Sequence, residues 1–169
     1  MISVAVLDDY QGVAKALGDW SILPPEVEVH AFQDHLAEED ALVERLKGFE
    51  VVVGMRERTA FPRSLLERLP VLKLLITTGM ANASFDLEAA TELGILVAGT
   101  NSSANTTGEL TWGLILALTR HISEEDRATR AGQWQTTIGP GLGGKTLGVL
   151  GLGRIGSQVA TYGHAFRMS

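Results

Sequence analysis

The sequence predicts an α/β protein. A parallel sheet covered on both faces by helices comes first, and the opening βα unit of a second parallel-sheet fold follows near the end. Three observations carry that reading. Residues 1–100 alternate five times between a short apolar run and an amphipathic segment, the pattern of a sheet wound with right-handed crossovers. One long apolar segment, 107–120, then breaks the alternation. Finally, residues 145–156 read KTLGVLGLGRIG, an apolar strand running into Gly151-x-Gly153-x-x-Gly156.

The strands are expected at 4–7, 27–32, 51–53, 72–76 and 95–98. Helical patterns separate them at 11–17, 38–46, 62–69 and 86–93, with Pro62 suited to a first helical turn and Gly94 to a helix stop. Thr106-x-x-Glu109 reads as a capping box opening the apolar helix, whose composition predicts burial on most sides. Residues 123–132 are polar and charged, an exposed helix, and 133–144 form a Gly-rich loop. The last predicted strand is 146–150, with a helix starting near Arg154.

Each glycine of the final turn has a separate task. Gly151 permits the tight turn, Gly153 lets backbone approach a diphosphate, and Gly156 lets the helix pack close to the strand. The helix that follows points unpaired N–H groups and the positive end of its dipole at an anion. This is the fingerprint of a dinucleotide site. Its ribose-binding acid, about 20 positions further on, would lie past Ser169, so the chain reads as the front part of a longer enzyme.

Composition narrows the alternatives. With no Cys, disulfides, thiolate metal sites and Cys nucleophiles are excluded. His30, His35, His121 and His164 lack metal-binding spacing, so no metal is expected and all four read as structural or exposed. Residues 1–57 hold 12 Asp/Glu against four Lys/Arg, and no basic stripe appears elsewhere, which argues against nucleic-acid binding. No apolar run is long enough to span a membrane, and no basic flank precedes the apolar start; a cytoplasmic protein is expected.

Other motifs are weaker. Gly139-x4-Gly144-Lys145-Thr146 matches a P-loop by letter, but a strand-like segment follows where a P-loop needs a helix. Asp8-Asp9 resembles a receiver-domain acidic pair; the matching Asp and Lys after the third and fifth strands are missing, and two acids closing a strand explain it. Arg56-x-Arg58-Thr59 follows the third strand, where Arg56 either binds an anionic substrate or forms a surface ion pair. Thr77–Asn82 follows the fourth, either an anion-binding turn or an ordinary βα loop.

In their order, RERT (56–59), LPVLKLLITTGMANASFDLEAA (69–90), ELTWGLILALTR (109–120), GQW (132–134) and GKTLGVLGLGRIGSQVA (144–160) resemble the D-isomer-specific 2-hydroxyacid dehydrogenase family over nearly the whole chain. The resemblance implies a flavodoxin-like substrate domain over 1–101. An interdomain helix and an incomplete Rossmann NAD(P)-binding domain would then occupy 102–169. It implies a substrate carboxylate at the N–H groups of Gly79 and Met80, with Arg56 beside them. Thr106 and Thr107 would line the nicotinamide pocket, and Arg154 and Ile155 would meet the pyrophosphate.

The implied reaction is NAD- or NADP-linked interconversion of a small 2-oxo acid and a D-2-hydroxy acid by a homodimer. The family's catalytic Arg, acid and His are expected beyond Ser169, so this chain alone should be inactive and bind cofactor weakly or not at all. Ala81 and the ending AFRMS depart from the family pattern, which has a basic residue at the first place and a glycine in the second. A non-catalytic α/β binding or interaction module is the competing reading.

Overall fold

The computed structural model describes residues 1–101 and 105–169. Two compact units emerge, Met1–Ser102 and Ser103–Ser169. The boundary expected at 101/102 abuts residues 102–104, which lie outside the described residues.

Five short, mostly apolar runs build the sheet of the first unit: β1 (Ile2–Val6), β2 (Val27–Ala31), β3 (Val51–Gly54), β4 (Leu74–Thr77) and β5 (Leu96–Gly99). All pair in parallel, in the order β2-β1-β3-β4-β5. This is the flavodoxin-like order, with its reversal between β1 and β3. The connecting helices are α1 (Ala14–Leu17), α2 (Glu39–Leu46), α3 (Arg63–Leu66) and α4 (Leu87–Glu92). Pro62 stands at the N-cap of α3, Asp86 caps α4 by accepting from Ala89 N–H, and Gly94 closes α4 at φ +72°.

All four helices are shorter than the apolar periodicity suggests. The clearest case is α1: the Asp9 carboxylate accepts from Val13 and Ala14 N–H at 3.0 Å each, so the helix starts there rather than at Gln11.

The core lies on one face. Ala5, Val52 and Leu75 from adjacent strands are fully buried, packing with Leu46, Phe61 and Leu65 among others. Phe61 and Phe85 meet edge-to-face at 5.2 Å, a geometry favoured by their ring quadrupoles. The opposite face is less covered than expected: Val51, Val53, Leu74 and Ile76 are half-buried and Leu96 is 67% exposed. Topology gives the reason. With right-handed crossovers, only the leftward β1–β2 connection crosses that face, and it carries just the four-residue α1.

The second unit consists of α5 (Asn105–Thr119), α6 (Ile122–Arg130) and α7 (Arg154–Ala165). Trp112, Leu142 and Val159 form its small core, with the Trp112 and Phe166 rings 5.0 Å apart and tilted by 53°. Two expectations fail here. Because α5 already runs at Asn105, Thr106 sits inside the helix and cannot be its N-cap. Nor is α5 buried on most sides: only Gly108 and Trp112 are, while Leu110, Leu114 and Leu118 are exposed along one stripe.

Residues 146–150 are not a strand either, because among the described residues no neighbouring strand supplies a ladder. A single rung of one exists. Ser169 N–H donates to the Lys145 carbonyl at 2.9 Å, and Leu147 N–H donates to the Ser169 carbonyl at 2.8 Å. That alternation is the parallel pattern, so residues 145–147, α7 and Ser169 trace a βαβ path. No helix of the described residues is long and apolar enough to cross a membrane.

Candidate functional site

At the carboxyl ends of β3 and β4, two loops hold each other. Arg56 adopts φ +55°, uncommon for a residue with a Cβ. Both its backbone groups are tied: its N–H donates to Thr78 Oγ1 at 3.1 Å, and its carbonyl accepts from Asn82 Nδ2 at 2.6 Å. Asn82 also donates to Thr77 Oγ1 and accepts from Ser84 N–H, so one buried amide organises the whole turn.

Against this turn lies the Arg56 guanidinium. Gly79 has φ +139°, reachable only without a side chain, and a Cβ there would collide with Arg56 Nη1. Arg56 and Gly79 are thus brought together as expected, with Met80 exposed beside them. Gly79 N–H differs from the expectation in one respect: it donates to Thr100 Oγ1 at 2.9 Å instead of standing open. The N–H of Met80 has no partner among the described residues. The β5 end presses from below, since a Cβ on Gly99 would meet the Gly79 carbonyl at 2.6 Å. An open groove of about 830 Å³ continues past Met80 and Asn82 along β5.

Arg58 does not join Arg56. Its Nη1 donates to the Asp8 carbonyl at 2.7 Å, and its guanidinium stacks over the Tyr10 ring at 4.5 Å. Asp8 and Asp9 do more than end a strand: both are buried and hydrogen-bonded.

The second unit holds the glycine turn. Gly151 has φ +89°, and Gly153 caps α7 with open space where a side chain would be. A Cβ on Gly156 would collide with the Gly151 carbonyl, so the helix can cross the turn only over a glycine. Arg154 and Ile155 open α7, the N–H end that attracts an anion. This fits a dinucleotide pyrophosphate. Thr106 and Thr107 lie in the first turn of α5. That turn is coupled to α7 because Gln158 Nε2 donates to Asn105 Oδ1 at 3.0 Å. A Cβ on Gly108 would also press on Gln158 at 2.6 Å. No group of three metal-ligating side chains occurs among the described residues.

Residues 112–169 match the profile of the D-isomer specific 2-hydroxyacid dehydrogenase, NAD binding domain. The chain belongs to the D-isomer-specific 2-hydroxyacid dehydrogenase family. It is 39% identical to a D-3-phosphoglycerate dehydrogenase of Methanocaldococcus jannaschii over 77% of this chain and 25% of that protein. A glyoxylate reductase of Aeropyrum pernix is 41% identical over 62% of this chain and 34% of its own length. Among solved structures, a phosphoglycerate oxidoreductase from Vibrio cholerae superposes with a TM-score of 0.92 at 40% identity, covering 99% of this chain and 54% of that one. The chain therefore spans about half the length of this solved relative and a quarter to a third of the curated ones.

Thr78 and Asn82 fall in the Thr77–Asn82 turn marked from sequence but had no role of their own there, and Thr100 was not marked as a site residue. Asn82 carried a usable signal, being the one amide in a polar glycine turn after a strand; Thr100, on the next strand's end, carried none.

Proposed function

We propose that this family member serves NAD(P)-linked interconversion of a 2-oxo acid and a D-2-hydroxy acid, with Arg56, Gly79 and Met80 holding the substrate carboxylate. The carrying observation is the Arg56 guanidinium laid against Gly79 by a backbone fixed at both its N–H and its carbonyl. A guanidinium placed beside the turn by its held backbone offers a charge-assisted bond to a carboxylate. Met80 N–H supplies a second donor, and Gly79 N–H a third once Thr100 turns its hydroxyl away.

The turn Gly151–Gly156 would hold the cofactor pyrophosphate through the N–H groups of Arg154 and Ile155, and Thr106 and Thr107 would face the nicotinamide. When bound, the nicotinamide exchanges the hydride at the substrate's second carbon. Neither glycine turn offers a general acid or base. We therefore expect no NADH oxidation above background with pyruvate, glyoxylate or phenylpyruvate from the 169-residue chain alone.

The exposed Leu110, Leu114 and Leu118 stripe supports homodimer formation through α5. The carboxylate site is tested by titrating ¹⁵N-labelled protein with oxalate, a stable mimic of a 2-oxo acid. Shifts centred on Arg56, Gly79 and Met80 support it; unchanged amides there would remove it.

A further inference from the structure

Doubly wound sheets bind ligands in the crevice where strand order reverses, here between the ends of β1 and β3. In this protein that crevice is cross-linked by side chains. Asp8, directly after β1, is only 1% exposed yet carries a charge-capable group and a left-handed backbone at φ +55°. Strained non-glycine backbone persists where its surroundings over-determine it, most often at functional sites. A buried carboxyl is tolerated only when its oxygens are satisfied.

Both Asp8 oxygens have partners. Thr59 Oγ1 donates to Oδ2 at 2.7 Å, and His35 Nδ1 lies 2.8 Å from Oδ1. The Asp8 carbonyl accepts from Arg58 Nη1, and Tyr10 packs under that guanidinium. The loop after β3 is thus fastened at Arg58 and Thr59, two and three residues past Arg56. On its other side the same loop is fastened by Thr78 and Asn82. Arg56, with its left-handed backbone, is itself held by the second fastening and lies two residues from the first.

We propose that Asp8, through Thr59 and Arg58, is the positioning residue that fixes Arg56 for anion binding. Asp8 never touches the anion. It closes the switch-point crevice and makes the β3 loop rigid, so that the ligand site lies one strand over, at β3 and β4. This inference rests on the carboxylate site proposed above and names the device that holds it.

The test uses the full chain, oxalate as probe and four variants. Thr59→Val removes the hydroxyl with little change of shape, Thr59→Ser restores it, Asp8→Asn keeps a residue type at ease in the left-handed region while replacing one acceptor by a donor, and Arg56→Met removes the proposed ligand. We expect Thr59→Val and Asp8→Asn to weaken oxalate binding about tenfold, the scale of one hydrogen bond's contribution. Thr59→Ser should bind within about twofold of wild type, and the Arg56 amide resonance should move in the unliganded Thr59→Val protein. Binding by Thr59→Val equal to wild type, with Arg56→Met abolishing it, would overturn the positioning role alone. Equal binding by wild type and Arg56→Met would remove the carboxylate site and this role with it. Should Asp8→Asn not fold, the Val/Ser pair at Thr59 decides.

Discussion

At the residue scale, two glycines are fixed by what surrounds them. Gly79 combines φ +139° with a guanidinium where a Cβ would be. Gly79→Ala should therefore displace Arg56 and abolish oxalate binding while the melting temperature falls only modestly, a split that calorimetry and thermal melting would read together. Gly156→Ala places a methyl against the Gly151 carbonyl. Forcing that overlap should destabilise the second unit by roughly 1–3 kcal/mol, seen as faster amide exchange in α7 with the first unit unchanged. Gly156 was legible from its place in the glycine fingerprint, whereas Gly79 was marked as a site residue only through the family resemblance. The role of Asp8 was not legible. Its two oxygens find donors 27 and 51 residues away, and no local pattern announces contacts between loops that only the folded sheet brings together.

At the element scale, strands and helices were legible wherever apolar periodicity and caps agreed, as for β2, β3, α2 and α4. The failures share one cause. Residues 146–150 have strand composition but no ladder partner beyond Ser169 among the described residues, and a β-strand is defined by its neighbour rather than by itself. Likewise α5 has the composition of a buried helix, yet its Leu110–Leu114–Leu118 stripe has no cover. We expect this stripe to drive concentration-dependent dimerisation, and Leu114→Asp to yield a monomer by sedimentation velocity; a wild-type monomer at high concentration would refute the interface.

A second element-scale prediction concerns α6. The Glu125 carboxylate accepts from the hydroxyls and N–H groups of Thr136 and Thr137. The Thr137 hydroxyl, first among these, holds its pKa below the ordinary 4.5. Because the folded pKa is depressed, this tie is fully present above about pH 4.5 and is lost as pH falls through the lowered folded value. Amide exchange at Thr136 and Thr137, corrected for intrinsic rates, should accelerate in that acid window, and Glu125→Gln should flatten the pH dependence.

At the scale of the whole molecule, the two units differ in how much core they own. The first buries a contiguous set from its strands and from the connections bearing α2, α3 and α4, the second little more than Trp112, Leu142 and Val159. Amide exchange should accordingly be slow through residues 1–100 and fast through 123–169. Each unit carries one of the two proposed anion sites, Arg56 with Gly79 in the first and Gly151–Gly156 in the second. The second turn can be tested by itself. Titrating ¹⁵N-labelled protein with NADH should shift the amides of Gly153, Arg154, Ile155 and Gly156 progressively, without saturation at about 1 mM, since a pyrophosphate turn without a ribose acid contributes less than the ~4 kcal/mol of a millimolar site. Saturation at micromolar NADH, or shifts that leave residues 151–156 untouched, would contradict the reading of this chain as a dehydrogenase-family substrate unit joined to a single cofactor-binding turn.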